Sequence, residues 1–246
     1  MSSIEANLHQ VRQRITRACH DAGRPEQSVT LLAVTKTFGA TEVRRAHDAG
    51  QCDFGENYVQ EALAKIDALA DLRPRLCWHL IGPLQSNKTR VVAEAFDWVH
   101  SVERLKIAQR LAEQRPAGLA PLQLCLQVNI SGEASKSGLR PEELRAVAQA
   151  VGALPHERVR LRGLMAIPEP ADSFDAQRVP HRRLRELLAH LNDGGLGLDT
   201  LSMGMSADLE AAVAEGATVV RIGTAIFGVR GQKLSSSTCP DSAGRG

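Results

Sequence analysis

Ile4, Leu8, Val11, Ile15 and Ala18 recur at alternating intervals of three and four residues, so the chain opens with an amphipathic helix. Ser2, placed ahead of Glu5, fits a capping box at its start. Beyond this helix the pattern changes. Short apolar, β-branched runs begin near Thr30, Cys52, Leu76, Trp98, Leu122, Arg160, Leu198 and Thr218. Each runs into a polar or glycine-containing turn and then into a stretch of helical period, which is the pattern of strands joined by crossover helices. Strands alternating with helices imply a parallel sheet covered by helices. Eight such units in 246 residues fit a closed (β/α)8 TIM barrel better than an open sheet of about six strands. The expected organisation is therefore a single α/β barrel over residues 1–234, with an extra N-terminal helix. Residues 235–246, rich in Ser, Gly and Pro, read as a disordered tail.

Composition narrows the function classes. Thirty Lys and Arg stand against 28 Asp and Glu, a net charge of +2, so no whole-molecule field favours nucleic acid or an anionic membrane. Aromatic residues make up 3% of the chain, too few to interleave a basic stretch with stacking platforms for bases. Small-molecule partners are the expectation. The five cysteines are odd in number and widely separated, which argues against zinc ribbons and disulfide frameworks and suits a reducing cytosol. Arg12, Arg14 and Arg17 interrupt the first helix, so no secretory signal is read there, and no uncharged apolar stretch is long enough to span a membrane. A cytoplasmic protein is expected. No Walker A sequence is present, and the nearest glycine cluster, from Gly194 to Gly197, precedes a strand instead of opening a helix.

In such a barrel, ligands bind at the C-terminal ends of the strands. Polar residues recur there: Lys36, then Glu56 and Asn57, His79, His100 and Ser101, Asn129, Ser202 and Ser206, and Arg221 followed by Gly223 and Thr224. Any one of them can be merely the point where a strand leaves the core. Lys36 follows an apolar strand; a free lysine, with a pKa of about 10.4, is almost wholly protonated at neutral pH. Desolvation and a nearby cation such as Arg221 would prepare it as a Schiff-base amine, and a lysine snorkelling to solvent is the plainer alternative. Ser206 stands where a helix begins and can meet a phosphate or simply cap that helix. Gly223 and Thr224 follow the eighth strand, where phosphate sites of these barrels often lie, although Gly223 can equally be a packing glycine. His47, His156, His181 and His190, the run from His181 to Arg185, and Lys136 read as solvated surface.

Six blocks then carry a resemblance. LLAVTKT from Leu31, FGENYVQE from Phe54, WHLIGPLQSNK from Trp78, VNISGEASKSG from Val128, RGLMAIP from Arg162 and the segment from Leu201 to Gly228 closely resemble the pyridoxal phosphate homeostasis proteins, the YggS/PROSC family, which have an alanine-racemase-like barrel. The resemblance implies that Lys36 forms the internal aldimine, a Schiff base, with pyridoxal 5'-phosphate (PLP). It implies that Ser206, Gly223 and Thr224 hold the phosphate, that Arg221 faces the pyridine nitrogen, and that Asn57 and Met203 lie against the cofactor. A guanidinium beside that nitrogen opposes its protonation and makes the ring a poorer electron sink. Members commonly show Lys-Thr-Lys-Pro where this chain has Lys36-Thr37-Phe38-Gly39, so a second lysine is missing.

The function implied is a non-catalytic carrier, expected as a monomer, that buffers PLP and hands it to PLP-dependent apoenzymes. A PLP-dependent amino-acid racemase is the alternative. Racemases of this fold place a tyrosine from a second, β-rich domain opposite the lysine, whereas the single tyrosine here is Tyr58 and little sequence follows Gly228. A Schiff-base aldolase acting on sugar phosphates is a third reading.

Overall fold

The eight apolar runs become eight parallel strands in chain order around a closed barrel. The computed structural model describes residues 3–133 and 137–228. Its order is α1 (Ile4–Asp21), β1 (Thr30–Val34), α2 (Ala40–Asp48), β2 (Asp53–Glu56), α3 (Val59–Ala68), β3 (Cys77–Leu80), α4 (Thr89–Ala95), β4 (Trp98–Val102), α5 (Leu105–Gln114), β5 (Leu122–Gln127), α6 (Pro141–Gly152), β6 (Val159–Met165), α7 (Phe174–Asp193), β7 (Thr200–Ser202), α8 (Leu209–Ala214), β8 (Val219–Ile222) and α9 (Thr224–Phe227). Closure is made where β8 returns to β1, in a register running from Thr30↔Val219 to Ala33↔Ile222.

The pleat of β1 shows how the core is divided. Leu31 and Ala33 face outward into the large apolar layer between strands and helices, while Leu32 and Val34 turn inward with Ile81 and Val219. Alternate residues of a strand point to opposite faces, so both sides of these strands are covered. The outer layer holds most of the apolar side chains, including Phe54, Trp78 and Phe96, each with no exposed surface. The inner apolar cluster is small. The rest of the lumen is occupied by polar side chains, described below.

Helix α1 packs against α2, α8 and α9, outside the barrel proper. Leu8, Val11, Ile15 and Ala18 are buried, as the spacing predicts, and Asn7 Nδ2 donates to the Ile226 carbonyl at 2.8 Å. The cap is Ser3, whose hydroxyl accepts from the Ala6 N–H at 3.1 Å. The expected capping residue, Ser2, lies outside the described residues, as do Lys136, Cys239 and the tail over 235–246.

Helix α7 corrects one surface reading and gives partners to another. His181 is only 1% exposed, and its Nε2 lies 2.9 Å from Asp208 Oδ2. Arg178, Arg182 and Arg185 fall on one helical face and converge on the fully buried carboxylate of Glu215, at 2.7, 3.1 and 3.2 Å. Arg183 donates to the Ile130 carbonyl. Arg182, Arg183 and Arg185 stay exposed, and what the sequence does not show is the buried Glu215, far along the chain, that pairs with Arg182 and Arg185. The described cysteines, Cys19, Cys52, Cys77 and Cys125, are all free thiols, and no helix among the described residues is long and apolar enough to cross a membrane.

Leu8→Ala, which empties a fully buried site between α1 and the barrel helices, should lower the free energy of unfolding by about 2–5 kcal/mol in urea titrations. Asn7→Ala, which removes one hydrogen bond to α9, should lower it by about 1 kcal/mol.

Candidate functional site

Strand β1 ends at Val34, so Lys36 stands two residues beyond it, exposed in a turn and not on the strand as its apolar approach predicts. The turn is held from below. The Lys65 ammonium donates to the Thr35 carbonyl and to Glu56 Oε1, both at 2.6 Å, and the Thr35 hydroxyl donates to the same carboxylate oxygen at 2.5 Å. Glu56 is fully buried and Lys65 nearly so. Burial pushes the Glu56 carboxyl above its ordinary value, against the pull of Lys65 and the Thr35 hydroxyl. Thr37 adopts φ +69°, a left-handed conformation that a β-branched residue takes only when its surroundings enforce it, and its N–H donates to Glu61 Oε2 at 3.2 Å. Phe38, where the family's second lysine is expected, packs its ring 5.1 Å from that of Phe227 in α9. The role of Lys65 escapes a reading of strand ends because it comes from a helix. Its signal is positional: it shares the buried stripe of α3 with Val59 and Ala62.

Across the β1/β8 seam, Gly223 and Thr224 lead into α9. A Cβ on Gly223 would stand 3.2 Å from the Val34 carbonyl oxygen, so this glycine both packs the seam and opens onto the mouth. Lys36, Gly223 and Thr224 line one cleft of about 240 Å³ together with Val34, Thr37, Phe38 and Gly228. Ser206 is half-buried in the turn before α8, and its hydroxyl has no hydrogen bond among the described residues. The capping position belongs to Asp208, whose carboxylate accepts from the Met205 N–H at 2.7 Å, so Ser206 is not the cap. Although burial alone would raise the Asp208 carboxyl, the bonds from His181 and Met205 hold it below its usual range. Met203 is fully buried and joins the outer apolar layer. Asn57 lines a separate recess of about 300 Å³ with Gly82, Gln127 and Asn129, and its Oδ1 is buried without a hydrogen-bond partner among the described residues. A Cβ at Gly82 would fall 2.1 Å from the Asn57 carbonyl oxygen, so only glycine lets these two loops touch.

His79 and His100 do not project to the mouth as expected for strand-end residues. They lie inside the barrel in one hydrogen-bonded chain with Asp53, Ser202 and Arg221. His79 Nε2 is 3.1 Å from Asp53 Oδ1, His79 Nδ1 is 2.9 Å from His100 Nε2, and His100 Nδ1 is 2.7 Å from Ser202 Oγ. Arg221 Nη1 donates to Ser202 Oγ at 2.8 Å and to the Ser202 carbonyl at 2.6 Å, and Nη2 donates to the Ala166 carbonyl at 2.8 Å. With both imidazoles neutral, one sense of donation satisfies every ring nitrogen: His79 donates to Asp53, His100 to His79, Ser202 to His100, and Arg221 to Ser202. Burial, reinforced by His79 and the Arg221 cation, holds His100 well below its ordinary value. Burial pulls the Arg221 guanidinium down to about 10, which leaves it charged at neutral pH. At the foot of the chain, burial raises the Cys77 thiol, with the neighbouring Asp97 and Asp53 carboxylates adding to the effect.

One cleft offers an exposed amine, a glycine-lined backbone turn and the Thr224 hydroxyl, whereas Ser206, Arg221, Asn57 and Met203 do not line it. Its donor set suits a small anionic ligand with an electrophilic carbon. Comparison with known proteins bears on this reading. The family model of the alanine racemase N-terminal domain matches residues 2–231. The pyridoxal phosphate homeostasis protein of Pseudomonas aeruginosa is 65% identical over 230 residues, covering 94% of this chain and 97% of the relative. Its Escherichia coli counterpart is 53% identical over 231 residues, covering 94% and 98%. The structure of PipY from Synechococcus elongatus with PLP bound is 41% identical, with TM-score 0.74, covering 87% of this chain and all of that one.

His100 generates a pH prediction. The unfolded state takes up a proton below about pH 6.5 that the folded state refuses, so stability is lost as the pH falls through that value. The loss should approach about 1.4 kcal/mol for each further pH unit. Urea unfolding from about pH 7 down to about pH 5 should therefore be steeper in the parent chain than in His100→Gln. Parallel slopes would show that the ring titrates normally in the fold.

Proposed function

Because the chain belongs to the alanine racemase N-terminal domain family and, within it, to the pyridoxal phosphate homeostasis proteins, we propose that it binds PLP at the barrel mouth and buffers and delivers that cofactor without catalytic turnover. The observation that carries this reading is the shared cleft of Lys36, Gly223 and Thr224. When bound, PLP supplies an aldehyde that a primary amine can engage and a phosphate that hydrogen-bond donors can hold. The residues present fit it. Lys36 Nζ is the amine assigned to the covalent Schiff-base link. Gly223 lets the backbone approach a phosphate closely, and the hydroxyls of Thr224 and Ser206 are the donors assigned to it. Arg221 is assigned to the ring nitrogen, where a guanidinium still charged at neutral pH keeps a proton away. The unpaired Oδ1 of Asn57 and the packed Met203 are assigned to the cofactor's surroundings.

The racemase alternative needs an acid or base facing Lys36. Tyr58 is 53% exposed and does not line the Lys36 cleft, and both ring nitrogens of His79 are engaged in the lumen. These placements support the carrier. The aldolase reading uses the same lysine without a cofactor and is separated from the carrier by mass. Phe38 puts an aromatic brace against Phe227 where the family shows a second lysine, so any step that relies on that second amine is absent here. The free described thiols are in keeping with a cytoplasmic setting, and a monomer serving PLP-dependent apoenzymes completes the proposal.

Native mass spectrometry of the protein as isolated should show an adduct of the cofactor's mass, lost in Lys36→Ala. Thr224→Ala should retain the adduct with affinity lowered roughly tenfold, the loss of one charge-assisted hydrogen bond. Loaded protein incubated with single L-amino acids should neither scramble stereochemistry nor transfer the amine, while restoring activity to a PLP-dependent apoenzyme at least as fast as free cofactor at equal concentration. Sustained turnover of any one amino acid rejects the carrier.

A further inference from the structure

We propose that Asp53, Cys77 and His79 form a binding site for a soft divalent cation, with zinc the best match, at the foot of the barrel opposite the mouth that carries Lys36. The placement follows from register. Asp53 opens β2 and Cys77 opens β3, and the two are paired across the parallel ladder. His79, two residues along β3, faces the same side as Cys77. Their ligating atoms, a carboxylate oxygen, Sγ and Nε2, all lie within 4.8 Å of one another. Among the described residues this is the one such group of three.

The donor set and its surroundings favour a metal. Oxygen, sulfur and imidazole nitrogen together are a borderline-soft set, and zinc binds them at about 2.0–2.3 Å. Such bonds place the donors about 3.5 Å apart, so separations of up to 4.8 Å close by up to about 1.3 Å around an ion, while the Asp53–His79 pair at 3.1 Å opens slightly. The histidine is already oriented by outer groups. Its Nδ1 is bonded to His100, His100 is bonded to Ser202, and the Trp98 ring stacks on it at 5.5 Å with an interplanar angle of 8°. Metal-binding histidines are usually held by this kind of outer bond on the second nitrogen. Asp53 is 31% exposed in its side chain and Cys77 is partly exposed, so an ion and a water ligand can reach the site from solvent. Three protein donors with an open fourth position make the coordination of an accessible zinc site.

The proton inventory closes. As the Sγ–metal bond forms, the Cys77 S–H bond breaks and its proton goes to water. His79 keeps one proton, moved from Nε2 to Nδ1, where it is donated to His100. His100 likewise keeps one, moved to Nδ1 and donated to Ser202 Oγ, whose own hydrogen stays on the oxygen and turns away from that ring. The ion thus reverses the sense of donation from His79 to Ser202, while Arg221 remains a donor. This inference stands apart from the cofactor reading and uses none of its residues as ligands.

The test is titration of the full chain with cobalt(II) chloride, followed by absorbance. One equivalent should produce a thiolate-to-cobalt charge-transfer band, removed by adding zinc chloride. The band should persist in Cys52→Ser, whose exposed thiol is the neighbouring competitor, and vanish in Cys77→Ser; Asp53→Ala should weaken binding at least tenfold. A measurement that needs no variant is alkylation of the parent protein with iodoacetamide, where zinc should protect Cys77 at least tenfold, as read from peptide masses. A band that survives in Cys77→Ser, no band at saturating cobalt, or alkylation of Cys77 unchanged by zinc would overturn the proposal.

Discussion

A charged guanidinium inside a closed barrel must find acceptors, and the lumen of this protein is organised by that demand. Burying an unpaired charge costs far more than burying a paired one, so Arg221 can remain where it is only because Ser202 and Ala166 turn oxygens toward it. Ser202 in turn passes its hydroxyl proton to His100, whose other nitrogen serves His79, whose last N–H reaches Asp53 at the solvent edge. The chain begins at a carboxylate that water can reach and ends at a cation that it can barely reach. Each member is satisfied by its neighbours, which is the condition under which a buried polar network strengthens a fold instead of weakening it. Apolar packing does the remaining work outside the strands, where the large core lies.

The mouth is built by a second buried pair. Glu56 and Lys65 together grip the peptide just before Lys36, and Thr37 is forced into a left-handed conformation just after it. An exposed lysine on a long flexible stem is thereby given a fixed root, so its amine explores the cleft and not the whole surface. The opposite wall is held from outside the barrel, because α1 bonds to the Ile226 carbonyl of α9 and Phe227 of the same helix meets Phe38 beyond Lys36. The extra N-terminal helix is thus mechanically joined to the cleft although it contributes no residue to its lining.

The barrel was legible because its signal is local. Apolar, β-branched runs of a few residues separated by helical stretches leave few arrangements, and the eight strands begin within two residues of where those runs begin. The opposition of Lys36 to Gly223 and Thr224 was legible for a related reason: the first and last strands of a closed barrel must be neighbours. What spacing could not supply was direction. His79 and His100 read as strand ends, but a shift of one residue along a strand moves a side chain from one face to the other, and both turn into the lumen. His181 reads as surface because Asp208, its partner, is far away in sequence, and for the same reason the exposed arginines of α7 give no sign of Glu215. Lys65 was overlooked because charge on a helix is usually solvated; its place on the apolar stripe of α3 was the available clue.

The same geometry bears on the chemistry open to a cofactor held, as proposed, at this mouth. Carbanion chemistry on a pyridine ring is favoured by a protonated nitrogen, and a two-base racemisation needs a base poised opposite the lysine. If Arg221 faces the ring nitrogen as proposed, its cation works against the first, since two positive charges would have to share a desolvated pocket. The second is unmet because the imidazoles closest to the lumen are committed to one another, and His100 is held neutral where a base would need to accept a proton. Giving either ring a catalytic role would break the chain that stabilises Arg221, and a carboxylate in place of Arg221 would leave Ser202 and Ala166 without their donor. Satisfying Arg221 and freeing an imidazole for proton transfer therefore place opposing demands on the same five side chains.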